Sequence, residues 1–271
     1  MVGFAVVVGI AAASPGAILS VPIRVIAFGF LTGFSISSFS MITNDVYDYE
    51  VDKVNQPDRA IASGRISLQR AKALSIPFLA IGLVSSALLG MFNFAIAAVF
   101  ALIGWYYNYR AKKLGLGGNS LVALSLAIPY IFGSVAVGNY SVNLSYLLAL
   151  TSFLAGMGRE VLKGICDVEG DKIRKVKTVA ASRGVKVASV VSASFFVLAI
   201  ASSALPILFG ILGKALYIYL PLILVPDILF GYLAFKTRNI SKTSEALRLK
   251  SYALIGMMLG LLVYLVAGLA G

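Results

Sequence analysis

Hydrophobic residues fall into nine long stretches separated by short polar breaks. The stretches run roughly Val2–Ala13, Val21–Thr43, Ala71–Gly90, Phe92–Tyr107, Ser120–Gly138, Leu144–Met157, Val185–Leu205, Ala215–Phe235 and Leu247–Ala270. Most approach the ~20 residues that an α-helix needs to cross ~30 Å of hydrocarbon. Open strands cannot satisfy their backbone groups in lipid, so the stretches are expected as helices. The expected architecture is all-α: a polytopic membrane protein with nine transmembrane helices in one bundle around a central cavity, capped by cytoplasmic loops. The first stretch is short and lacks the basic leader of a signal peptide, so it is expected either to follow a missing segment or to sit partly in the interface.

Charge supports this reading. Of the 23 Lys and Arg residues, 21 lie on alternate connections, five near Lys53–Lys72, three at Arg110–Lys113, eight between Arg159 and Lys186, and five between Lys236 and Lys250. Only Arg24 and Lys214 fall on the other side, and Arg24 is expected to snorkel outward. The positive-inside rule makes those four connections cytoplasmic and places the N-terminus on the same side. The other connections are short, so the bulk of the polar chain is on one face.

Composition agrees: 59% of the 271 residues are hydrophobic, 13% are charged, and mean hydropathy is +0.93. The net charge of +12 sits between apolar spans, which points to anionic lipid or an anionic substrate rather than nucleic acid. Histidine is absent and Cys166 is the single cysteine. That excludes an intrachain disulfide, histidine metal ligation and a histidine base; any metal must be held by oxygen. Cys166 reads as a packing residue.

The eleven acids are concentrated. Asp45, Asp48, Glu50, Asp52 and Asp58 form one group, and Glu160, Asp167, Glu169 and Asp171 form another. Asp48-Tyr49-Glu50-Val51-Asp52-Lys53 matches Asp167-Val168-Glu169-Gly170-Asp171-Lys172 at an offset of 119 residues. Ser63 and Ser182 follow at equal distance, each with Gly and Arg beside it. Four helices separate the copies, so both share one orientation. We read residues 1–271 as a single domain built from a parallel repeat, about 21–138 and 144–271.

Asp45, Asp48 and Asp52 stand at i, i+3 and i+7, which is one face of a helix, and Asp167 and Asp171 stand at i and i+4. Like charges so placed repel, and a membrane boundary adds desolvation. A divalent cation relieves both, and oxygen ligands with substrate phosphate suit Mg²⁺. A lone acidic helix end is usually a solvated cap. Two copies in a chain otherwise almost free of acids favour a site.

Asn44-Asp45-x-x-Asp48-x-x-x-Asp52, followed by Asn55-Gln56-Pro57-Asp58-Arg59 and Ser63-Gly64-Arg65, resembles the first motif and basic connection of the UbiA-type intramembrane prenyltransferases. Asp167-x-x-x-Asp171 resembles their second motif. The resemblance implies Mg²⁺-dependent transfer of a prenyl chain from its diphosphate to a lipid-phase acceptor. It implies one ion on Asn44, Asp45, Asp48 and Asp52 and a second on Asp167 and Asp171. Lys53, Arg59, Arg65, Arg110 and Lys163 are the candidates for the remaining phosphate oxygens, although ordinary topology explains any one of them equally well. Tyr47, Tyr49, Phe39 and Tyr107 are candidate walls for a carbocation, against the alternative of belt residues. Asp227 is an acid in mid-span; it reads equally as functional or as a bond between helices.

Within the family, Arg159-Glu160-Val161-Leu162-Lys163-Gly164-Ile165 looks most like the archaeal digeranylgeranylglyceryl phosphate synthases. The expected donor is geranylgeranyl diphosphate and the expected acceptor geranylgeranylglyceryl phosphate, with no obligate protein partner. An aromatic acceptor of the 4-hydroxybenzoate or naphthoate type is the alternative. An ion-coupled transporter is the non-enzyme alternative; it is disfavoured by acids at the boundary and a parallel repeat. CDP-alcohol phosphotransferases need an arrangement of Gly and Ala-Arg after an Asp that is absent here.

Overall fold

The computed structural model describes residues 1–168, 176–240 and 243–271. Among these the chain is helical without strands. The helices are α1 (Val2–Ala13), α2 (Ile23–Tyr47), α3 (Tyr49–Asn55), α4 (Leu68–Leu89), α5 (Met91–Tyr109), α6 (Leu116–Ala136), α7 (Leu144–Cys166), α8 (Val179–Arg183), α9 (Val185–Ser203), α10 (Leu205–Leu208), α11 (Leu216–Arg238) and α12 (Thr243–Ala270). Seven helices of the described chain (α2, α4, α5, α6, α9, α11 and α12) are long and apolar enough to cross a membrane. The protein is a multi-pass membrane protein of helical bundle type.

Two of the nine apolar stretches fall outside that set. α1 spans 12 residues. α7 spans 23, but its last third carries Arg159, Glu160 and Lys163. The apolar stretches also under-measure the helices at the motif end. α2 runs on to Tyr47 and α7 to Cys166, because helical hydrogen bonding continues where hydrophobicity stops. The helices therefore carry the start of each acidic motif out of the apolar layer.

Neighbouring helices in lipid gain little from hydrophobic transfer; close packing through small residues replaces it. α1 lies against α6 in this way. A Cβ on Gly133 would meet the Val6 carbonyl oxygen, and one on Gly9 would meet the Tyr130 backbone. α7 is the most enclosed long helix, packed between α6, α9 and α12. Around it Phe196 stacks on Phe230 with ring centroids 5.7 Å apart, and Tyr219 meets Tyr264 edge-on at 5.4 Å. α2, α4 and α5 pack together on the other side of α1 and α6.

Candidate functional site

A cavity of about 430 Å³ lies between α1, α2, α5 and α6. Its wall on α2 is the stripe Thr32, Gly33, Ile36, Ser37, Ser40, Met41, Asn44 and Asp45. These positions recur every three to four residues and so form one helical face. α5 supplies Ile96, Ala97, Phe100, Ile103, Gly104, Tyr107 and Asn108 with the same period. From Thr32 to Asp45 the helical rise corresponds to about 20 Å. One end is polar, formed by Asn44, Asp45, Asn108 and Arg59; Val2, Val6 and Phe132 line the other. Gly104 makes room opposite Ser40, where a Cβ would lie 2.8 Å from the hydroxyl oxygen.

The first acidic motif closes the polar end. α2 pauses at Asp48, and α3 begins at Tyr49. The backbone ladder nevertheless continues, with Asp48 N–H donating to the Asn44 carbonyl (2.9 Å) and Asp52 N–H to the Asp48 carbonyl (2.8 Å). Arg59, on the connection after α3, donates from one Nη1 to Asp45 Oδ1 and to Asp52 Oδ2, both at 2.9 Å. Asp52 is only 6% exposed, so this pairing neutralises a buried carboxylate. Asp48 is paired with Lys112, which sits on the short turn after α5. Asn44 donates its amide to Asn108 Oδ1 at 2.9 Å, joining α2 to α5 at the mouth.

The other basic candidates are spread around this centre. Lys53 lies 3.3 Å from Glu50 and 4.0 Å above the Tyr49 ring. Its hydrogen bond with Tyr49 and its bond with Glu50 push the ammonium above the ordinary lysine value. Arg65 bonds the Asp58 carbonyl and, at 3.1 Å, Ser63 Oγ, holding the connection before α4. Arg110 caps the end of α5 and is exposed. Lys163 is 3.9 Å from the buried Glu160, which Arg159 also engages at 2.7 Å.

In the second half Asp167 is exposed and caps α7 just as Asp48 caps α2, its N–H donating to the Lys163 carbonyl at 3.1 Å. Asp171 lies outside the described residues. The described chain at Lys177 touches the turn after α5: Lys177 N–H donates to the Lys113 carbonyl at 3.4 Å, next to the lysine that reaches Asp48.

Of the aromatic candidates, Tyr107 lines the cavity. Phe39 is buried elsewhere on α2, and Tyr47 stands at 6.4 Å from Tyr109 near the surface. Tyr49 faces Lys53. Asp227 lies in the other half, accepting from Ser203 Oγ at 2.7 Å beside a void of about 20 Å³ shared with Thr151, Ser152 and Tyr264. Lys112 and Asn108 are site residues that sequence reasoning passed over. Lys112 looked like one more inside-positive charge, and Asn108 like the end of a span.

The donor set suits a hard divalent ion. Asp45 and Asp52 already converge on one cationic nitrogen, and the acceptor end of Asn44 adds a neutral oxygen. No group of three or more His, Cys, Asp or Glu side chains is arranged as a finished metal cage among the described residues. Substrate oxygens and water are needed to complete a shell, as is usual for Mg²⁺.

Comparison with known proteins is consistent across sequence and structure. The UbiA prenyltransferase family model matches residues 2–262. The digeranylgeranylglyceryl phosphate synthase of Archaeoglobus fulgidus is 32% identical over 264 residues, covering 96% of this chain and 88% of that protein. The one from Sulfurisphaera tokodaii is 37% identical over 236 residues, covering 86% and 83%. A solved structure described for digeranylgeranylglyceryl phosphate synthase in membranes superposes with a TM-score of 0.81 at 29% identity, covering 99% of this chain and 93% of that one. A UbiA homolog from Archaeoglobus fulgidus bound to GPP and Mg²⁺ has the same fold, with a TM-score of 0.65 at 16% identity over 97% of this chain and 95% of that one. The chain belongs to the UbiA prenyltransferase family.

Proposed function

We propose that the protein transfers a geranylgeranyl group from geranylgeranyl diphosphate to the free hydroxyl of geranylgeranylglyceryl phosphate, releasing diphosphate, in archaeal ether-lipid biosynthesis. The observation that carries this reading is the cavity itself. It runs about 20 Å from Thr32 to Asp45; Asn44, Asp45 and Arg59 form one end, and the remaining stretch to Thr32, about 14 Å from Met41, is mostly apolar. An extended chain gains about 1.1–1.2 Å per bond. Four isoprene units, each contributing four bonds along the chain, therefore extend about 18–19 Å and match the whole cavity, with the diphosphate-bearing carbon at the Asp45 end. The relatives named digeranylgeranylglyceryl phosphate synthase support the acceptor.

Asn44, Asp45, Asp48 and Asp52 would hold one Mg²⁺, and Asp167 and Asp171 a second. Magnesium, when bound, supplies the positive charge that a departing diphosphate requires. Arg59, with Lys53, Arg65, Arg110 and Lys163 around it, binds diphosphate oxygens. Met41, Ile103 and Tyr107 keep water from the allylic carbon as its bond to oxygen breaks, and the Tyr107 ring offers its face to the developing cation. The acceptor hydroxyl oxygen forms the new C–O bond, and its proton leaves with the diphosphate.

The same reading places both motifs at the cytoplasmic face, counts α1 and α7 as the eighth and ninth spans, and puts the N-terminus inside. The equivalent capping roles of Asp48 and Asp167 support a parallel repeat. Incubation with geranylgeranyl diphosphate, geranylgeranylglyceryl phosphate and Mg²⁺ should give the diether phosphate and diphosphate, and chelation should stop it. Turnover of 4-hydroxybenzoate or a naphthoate with no diether would overturn the acceptor; substrate flux into liposomes without chemistry would overturn the enzyme.

A further inference from the structure

We propose that Arg59 and Lys112 are resident counter-cations of the first acidic motif that transfer to the diphosphate when metal enters, so that metal and diphosphate bind as a pair. This rests on the reading of the motif as a metal–diphosphate site.

Three carboxylates stand within about two turns of backbone, and two cationic side chains from elsewhere in the chain engage all three. Arg59 Nη1 spans Asp45 and Asp52, and Lys112 arrives from a turn 64 residues away to engage Asp48. A divalent ion arriving alone therefore meets three carboxylates whose charge is already offset by two cations. To bind, it must evict a guanidinium held by two hydrogen bonds and strand that charge beside an apolar channel, which is costly. A diphosphate removes the obstacle, because its oxygens receive the displaced cations. The planar guanidinium fork suits carboxylate and phosphate equally. Arg59 is placed for the exchange: it lines the cavity mouth, and its side chain is 35% exposed, so a turn about its own bonds moves it from the acids toward the channel. The pairing also protects Asp52, which at 6% exposure would otherwise be a buried unpaired charge before substrate arrives.

The alternative is that Arg59 merely fastens α3 to α2. The two roles differ in sign. Mn²⁺ titration of the full-length protein in detergent, read by electron paramagnetic resonance with and without inorganic pyrophosphate, separates them. In the wild type Mn²⁺ alone should bind weakly, and pyrophosphate should tighten it. Arg59→Gln should tighten binding of Mn²⁺ alone about tenfold, equivalent to about 1.4 kcal/mol, and lose the pyrophosphate enhancement. Arg59→Lys should keep part of the enhancement. Lys112→Gln should shift binding in the same direction as Arg59→Gln, and it serves if Arg59→Gln does not fold. Unchanged or weaker binding of Mn²⁺ alone in folded Arg59→Gln or Lys112→Gln would overturn the counter-cation role while leaving the site intact. No Mn²⁺ bound by the wild type with pyrophosphate would overturn the site reading itself.

Discussion

The two halves of the bundle use similar helices for opposite ends. Around α2, α5 and α6 the facing side chains leave a cavity of about 430 Å³; around α7, α9, α11 and α12 the void beside Asp227 is about 20 Å³. The difference lies in which residues meet. Gly104 is covered by the small Ser40 side chain in the hollow half, whereas Gly158 is covered by the large Phe196 ring, which in turn stacks on Phe230. If both halves descend from one unit, as we propose, only the first kept room for a substrate. On that reading the second became a packed wall that ends in Asp167.

The sharpest way to break this comparison is to remove one carboxylate from each half. Asp48→Ala and Asp167→Ala should each lower kcat by at least about 10³-fold, the scale lost when a group stabilising a developing charge is deleted. The protein should remain folded by circular dichroism. Near-normal turnover of Asp167→Ala would confine the chemistry to the hollow half.

Packing gives the next effect. Phe196→Ala should cost about 3–5 kcal/mol in the filled half. Phe100→Ala should cost far less, because it enlarges a cavity that already exists. Thermal unfolding in one detergent would compare them, and equal losses would mean that the hollow half is not hollow in solution.

A smaller change tests the channel's apolar end. Val6→Phe should shorten it and shift the kcat/KM preference from geranylgeranyl toward farnesyl diphosphate by about tenfold or more, since each methylene misfit is worth about 1–3 kcal/mol. An unaltered preference would move the length gauge elsewhere. Smallest of all, Asp227→Asn should keep its bond with Ser203 and change kcat by less than about tenfold, as expected of a bond between helices. A larger loss would bring the filled half into the chemistry.

Sequence patterning made much of this visible. Acids are so few that nine of eleven at two helix ends could not pass as surface decoration. Hydrophobic stretches located the helices but stopped short at Thr43 and Met157, because transfer preference ends at the hydrocarbon edge while backbone hydrogen bonding runs on to Tyr47 and Cys166. The partnership of Asp48 with Lys112 was hidden among charges that topology alone explains. The void was hidden too. It depends on the relative rotation of α2 and α5, which brings Ser37, Ser40 and Met41 to one cavity with Phe100, Ile103 and Tyr107.

One stripe on α2 carries both the channel wall, from Thr32 to Met41, and the first two motif residues, Asn44 and Asp45. A single inserted residue between Met41 and Asn44 would swing the carboxylates about 100° around the axis and point them away from the channel. Two full turns, about seven residues, would restore their direction but lift them about 10 Å from the reacting carbon. The interval between wall and acids is thus fixed in both rotation and height, and this short piece of chain tolerates substitution far better than any change of length.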